Sequence, residues 1–335
     1  MERNRTADNI KAYACLLVLI GHVFSGIRTS GITVPSFMPT VESFIWTFHI
    51  DLFMMISGFV YTLTGGFTGK GSRIKFLTGK LINLGIPYAL FSVLYITVNS
   101  VIPDVNNKSH ISDIIKIFYE PVAQFWFLYA LFFLFVIWTV LSLFLKNEVI
   151  TLITFGLLII SKIFGFSYGF LDSTFNCALA FGIGTCLESL DFKKIPNWLK
   201  ISTIPVHIAA VVTMILTGVI KFIIADDVAT ILGLFASVFF VGFIQRISFV
   251  DRFLNFICKY SFPIYLLHTF FTSATRIILL RFGYTNYILH VVAGTFAGLS
   301  IPLLIAWICS IVPIFNIVFY PKSTIKKLSS KTTAQ

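Results

Sequence analysis

Ten apolar stretches, most of them close to twenty residues long, follow one another along the chain, and no soluble fold can bury them all. They run at about residues 9–28, 41–65, 82–101, 122–145, 149–166, 174–190, 201–220, 229–247, 258–280 and 286–314. A helix rises about 1.5 Å per residue, so some twenty apolar residues cross a hydrocarbon layer of about 30 Å. Only 12% of the 335 residues are charged, about half the share usual in soluble domains. The expected fold is therefore all-α, a polytopic integral membrane protein with about ten transmembrane helices. Residues 1–320 are expected to form a single transmembrane domain, with 321–335 a polar, basic cytoplasmic tail.

Lysine and arginine orient the spans. With the N-terminus inside, 18 of the 25 basic residues fall on cytoplasmic segments. That is the bias expected of membrane proteins, and an even helix count then puts both termini in the cytoplasm. The net charge of +11 is explained by this bias, so no nucleic-acid partner is expected. Residues 102–120 form an external loop whose amphipathic part, Ile111 to Tyr119, is expected to lie on the outer membrane surface. Cys15, Cys177, Cys186, Cys258 and Cys309 lack metal-ligand spacing and read as small apolar residues. No metal is expected.

Titratable groups at membrane depth are costly and mark candidate sites. Lys11 and His22 lie 11 positions apart on the first span, about 16 Å, close to a whole number of turns, and so on one helix face. His49 and Asp51 enter the second span from outside, with Ser57 and Gly58 deeper. Sequential antiparallel helices would let His22 and His49 meet at one depth. His268, with Arg276 eight residues further out, would add a third helix to that polar pocket. His207 and His290 have no evident partner and read as structural. On the inside, Arg73, Lys75 and Lys80 can meet phosphate groups. A neutral imidazole takes a proton from a hydroxyl attacking a thioester. Together these point to acyl transfer from a phosphate-rich cytoplasmic donor. Two other classes compete: a glycolipid flippase or polysaccharide transporter, and a glycan polymerase.

The same residues resemble the acyltransferase-3 family of integral membrane acyltransferases, within its fucose 4-O-acetylase and related acetyltransferase group. Asp8, Lys11 and His22 in DNIKAYACLLVLIGH are similar to the opening motif. TFHIDLFMMISGF follows the second, through His49, Phe53, Ser57 and Gly58, although Asp51 stands where proline is usual. KFLTGKLINLGIPY resembles the basic loop and its Ile-Pro-Tyr end, with Thr78 and Gly79 where Lys or Arg is common. QFWFLYALF supplies Trp126, and SFPIYLLHTFF supplies Ser261, Tyr265 and His268. The resemblance spans nearly the whole chain, in order. It implies an acetyl-CoA co-substrate bound on the cytoplasmic side and a carbohydrate or lipid-linked glycan acceptor of a bacterial surface polymer. It also implies a multi-pass place in the bacterial plasma membrane. His22 is expected to be catalytic, with His49 and Asp51. Lys11, Ser57, Trp126, Tyr265, His268 and Arg276 are expected to bind substrate, and Arg73, Lys75 and Lys80 the coenzyme. Membrane lipid and a homo-oligomer complete the expected partners.

Overall fold

The structure, a computed structural model, describes residues 4–65, 70–103, 105–106, 108–189, 194–217, 225–312 and 314–332. Arg3, Lys193 and Lys221, used in the charge count above, lie outside them. Among the described residues thirteen α-helices follow in order: α1 Arg5–Thr29, α2 Met38–Trp46, α3 His49–Thr64, α4 Lys70–Lys80, α5 Ile86–Val101, α6 Trp126–Leu141, α7 Asn147–Phe164, α8 Asp172–Cys186, α9 Asn197–Thr217, α10 Ala225–Ile244, α11 Ser248–Arg281, α12 Tyr287–Ile311 and α13 Pro321–Thr332. No strand occurs among the described residues. Helices meet the demand of lipid, because each backbone N–H and C=O finds its partner within its own segment.

Nine helical stretches of the described residues are long and apolar enough to cross a membrane. The tenth expected span, about 174–190, corresponds to α8. With 15 residues it covers only about 22 Å. It need not meet lipid along its length, because Thr174, Cys177, Ala178, Phe181, Gly182 and Thr185 are buried.

The chain forms two compact units. The first contains residues 1–24, 34–65 and 140–261, with α2, α3 and α7 to α10. Small residues set its tightest contact. A Cβ on Gly58 of α3 would stand 2.0 Å from the Phe181 carbonyl oxygen of α8, and one on Gly184 of α8 would stand 1.9 Å from that of Met55. Only glycine lets these two backbones approach so closely. The Thr62 hydroxyl donates across the same seam to the Thr185 carbonyl at 3.1 Å.

The second unit contains residues 25–33, 66–139 and 262–335. Here α4 passes into a π-helical turn, Leu81–Gly85, before α5. Pro87 is the cause: it has no N–H to donate back one turn, and its ring crowds the preceding carbonyls. A wider turn relieves both problems. The expected polar tail is helical as α13. Its Lys322 amide donates to the Asn83 side chain at 3.2 Å, and its Thr324 is buried.

Candidate functional site

In the first unit the helix carrying His49 is broken just before it. α2 ends at Trp46, and Phe48, with φ −142°, restarts the chain as α3. A break frees backbone carbonyls that lipid would leave unsatisfied. The Ile45 carbonyl takes a hydrogen bond from Nδ1 of His49 at 2.8 Å. The Thr47 carbonyl takes one from the Thr230 hydroxyl of α10 at 2.7 Å. A carbonyl only accepts, so Nδ1 of His49 carries the hydrogen. In the neutral ring Nε2 is then a bare acceptor. It is fully buried and has no hydrogen-bond partner among the described residues.

Trp46, the last residue before the break, joins two histidines. Its ring meets His22 edge-on at 5.4 Å between centroids, and meets His49 at 4.8 Å. His22 and His49 thus come together around one indole. Trp46 also lines a cavity of about 360 Å³ with Ser43, Thr230 and Asp226. Sequence reasoning missed Trp46. The only available signal was its position three residues before His49.

Asp51 is two residues beyond His49, and such pairs do not face each other on a helix. Its charged neighbours are Asp227 and Lys162, which form an ion pair at 2.6 Å. The imidazole of His49 therefore takes its orientation from the Ile45 carbonyl. Lys11 and His22 do share the single helix α1. Near Lys11, buried Asn9 donates to Asp251 at 2.8 Å and to Gln245 at 3.0 Å. Asn255 donates to Asp251 at 3.2 Å, and Arg5 pairs with the same carboxylate. This network also escaped the sequence reading, because its members lie some 240 residues apart. Ser57 is half-buried in α3 beside the Gly58 seam.

In the second unit His268 is fully buried on α11. Its Nδ1 donates to the Ile264 and Tyr265 carbonyls at 2.9 and 2.8 Å. This bond again leaves Nε2 as the accepting nitrogen of the neutral ring. The Tyr265 hydroxyl donates to the Gln124 carbonyl, and the Gln124 amide donates to Thr269 at 2.6 Å. These bonds hold the turn Ala123–Phe125, and so the start of α6 at Trp126, against α11. Arg276 is buried on the same helix.

The basic residues expected at the coenzyme stand on α4 or at its end. Lys75 is exposed and Arg73 half-buried. The Lys80 ammonium lies 3.8 Å from the centre of the Phe135 ring, a cation–π contact. Lys322 of α13 reaches over Gly79 and so adds a further cation near this segment. No group of three or more His, Cys, Asp or Glu among the described residues could hold a metal ion.

Helices of spanning length, with imidazoles held in their interior in a proton-accepting form, define a membrane-embedded protein equipped for proton transfer. A family model described as an acyltransferase domain matches residues 4–307, and the chain belongs to that family, acyltransferase-3. It is a multi-pass membrane acyltransferase. The searches of curated proteins and of solved structures return no match.

Proposed function

We propose that the chain O-acetylates a hydroxyl of a bacterial surface carbohydrate, such as capsule, O-antigen or exopolysaccharide, with cytoplasmic acetyl-CoA as donor. This assigns it to the fucose 4-O-acetylase-like group and to the bacterial plasma membrane. The observation that carries the reading is the cluster of His22, Trp46 and His49 inside a chain of acyltransferase lineage.

In this reading the acceptor oxygen attacks the thioester carbonyl carbon. Its proton passes to the His22 imidazole, the C–S bond breaks, and the departing thiolate recovers a proton. His49, whose accepting nitrogen is already oriented, relays or stabilises that proton. Trp46 fixes the distance between the two rings and gives the sugar a flat apolar face. Arg73, Lys75 and Lys80 attract the phosphates of the coenzyme, and Lys11 is a further substrate-binding group. His268, Tyr265 and Trp126 contact the acceptor or the thioester.

The test compares surface glycans from wild type, a deletion strain and His22→Ala. Loss of the O-acetyl signal by NMR in both mutants, with polymer still exported, is the expected result. General-base catalysis contributes about 10²- to 10⁴-fold, so a true catalytic His22 leaves no measurable residue. Unchanged acetylation in His22→Ala at normal protein level would remove His22 from the chemistry.

A further inference from the structure

Arg276 is the group that the fold leaves unbalanced. Only 7% of its surface is exposed, and it makes no ion pair or hydrogen bond among the described residues. Arginine does not escape this cost by losing its proton, and a buried charge without a partner is strongly unfavourable. A lysine or arginine that merely snorkels sends its head group out to water. Arg276 instead lies against α1: a Cβ on Gly26 would stand 2.2 Å from its Nη1. Glycine at position 26 is therefore what gives the guanidinium its place. The Gly26 carbonyl already accepts from the Thr29 hydroxyl at 3.2 Å and from Asn106 at 3.5 Å, which uses both of its acceptor sites.

Among the described residues, the other groups nearby are uncharged and polar. Tyr95 lies within electrostatic reach of Arg276, and its hydroxyl pairs with Asn99. Asn99 and Thr272 are both buried. None of these neutralises a cation. An oxyanion does so best, because the planar fork of arginine matches phosphate and carboxylate in two parallel hydrogen bonds.

We infer that Arg276, seated on Gly26, binds an oxyanion of the acyl acceptor, a phosphate or a carboxylate. The inference rests on the acyl-transfer reading above and narrows its acceptor to an anionic glycan. Two sources share this chemistry: the phosphate of a lipid-linked glycan, and the carboxylate of an acidic sugar. Arg276 and His268 are eight residues apart on α11, about 12 Å along the helix. That distance leaves room for about two sugar rings between the anion and the imidazole.

The test uses the full chain in phosphatidylcholine nanodiscs, with coenzyme A in excess to occupy the donor side. Pyrophosphate, glucuronate and neutral glucose are titrated by calorimetry. One of the two anions is expected to bind, at least tenfold more weakly to Arg276→Gln and with less loss to Arg276→Lys. Pyrophosphate binding points to a lipid-linked acceptor, glucuronate binding to an acidic sugar. Equal affinity of wild type and Arg276→Gln for both anions overturns the inference. If Arg276→Gln does not fold, Arg276→Lys and Tyr95→Phe replace it, and unchanged affinity in both is equally fatal. Acetyl transfer from labelled acetyl-CoA is followed separately in membranes. Transfer without an anion effect defeats only this inference. An anion effect in a wild type that transfers nothing upholds the arginine site and defeats the acetylation reading.

Discussion

At the scale of single residues, one ring nitrogen of His49 holds the backbone, and in the proposed reaction the other serves the chemistry. Nδ1 of His49 closes the carbonyl freed by the helix break, and Nε2 is left to accept a proton. The two roles separate by substitution. Asparagine presents an N–H near the position of Nδ1, so His49→Asn is expected to keep its melting temperature within a few degrees while losing most of its acetyl transfer. His49→Ala removes the 2.8 Å bond and leaves the Ile45 carbonyl to the Phe48 amide at 3.4 Å, at a cost of about 1 kcal/mol, and is expected to lower both. Calorimetric melts beside a transfer assay check this pair. Full activity in His49→Asn would make the ring a purely structural group. The candidate histidines were legible in the sequence because a titratable group among apolar residues stands out. Trp46 was not, since one indole among so many aromatic residues carries no mark. Only its contacts with two imidazoles distinguish it.

At the scale of elements, hydropathy reports the solvent of a helix and says little about its neighbours. The apolar runs were therefore readable, and their internal breaks were not. The break before His49 contains neither proline nor glycine; it persists because His49 and Thr230 satisfy the freed carbonyls. The π-turn at Leu81–Gly85 does have a sequence cause, in Pro87. The helical tail α13 was hidden by its polar composition, which is equally that of an unfolded segment. The seam between α3 and α8 gives the sharpest prediction here. Gly58→Ala forces a methyl group into a backbone carbonyl and is expected to destabilise by at least 2–3 kcal/mol, in the range of overpacked cores. Gly156→Ala on α7 meets nothing within 4 Å and is expected to be neutral or stabilising by up to about 1 kcal/mol. Thermal melts of the two purified variants measure the contrast, and equal melts would refute the close-packing account.

At the scale of the molecule, orientation follows from charge and from counting. Counting the nine long helices of the described residues and the short α8 as one crossing each gives an even number, which predicts both termini on the basic side. Reporter fusions at residue 1 and after residue 335 are expected to read the same, cytoplasmic side. Opposite readings would mean that α8 does not cross. The division into two units was not legible, because the long α1 and α11 each run through both and no change of composition marks the boundary. The seam at Gly58 and Gly184 bears on how such a protein acquires a new preference. Neither position tolerates a side chain, so the wall that carries His49 is closed to mutational drift. In the proposed reaction, variation in acceptor range then arises elsewhere: in the first unit at the rim of the cavity beside Trp46, or, separately, in the second unit around Arg276. A directed-evolution library confined to Ser43, Asp226, Thr230 and the neighbours of Arg276 samples that freedom without spending variants on a helix pair that cannot change.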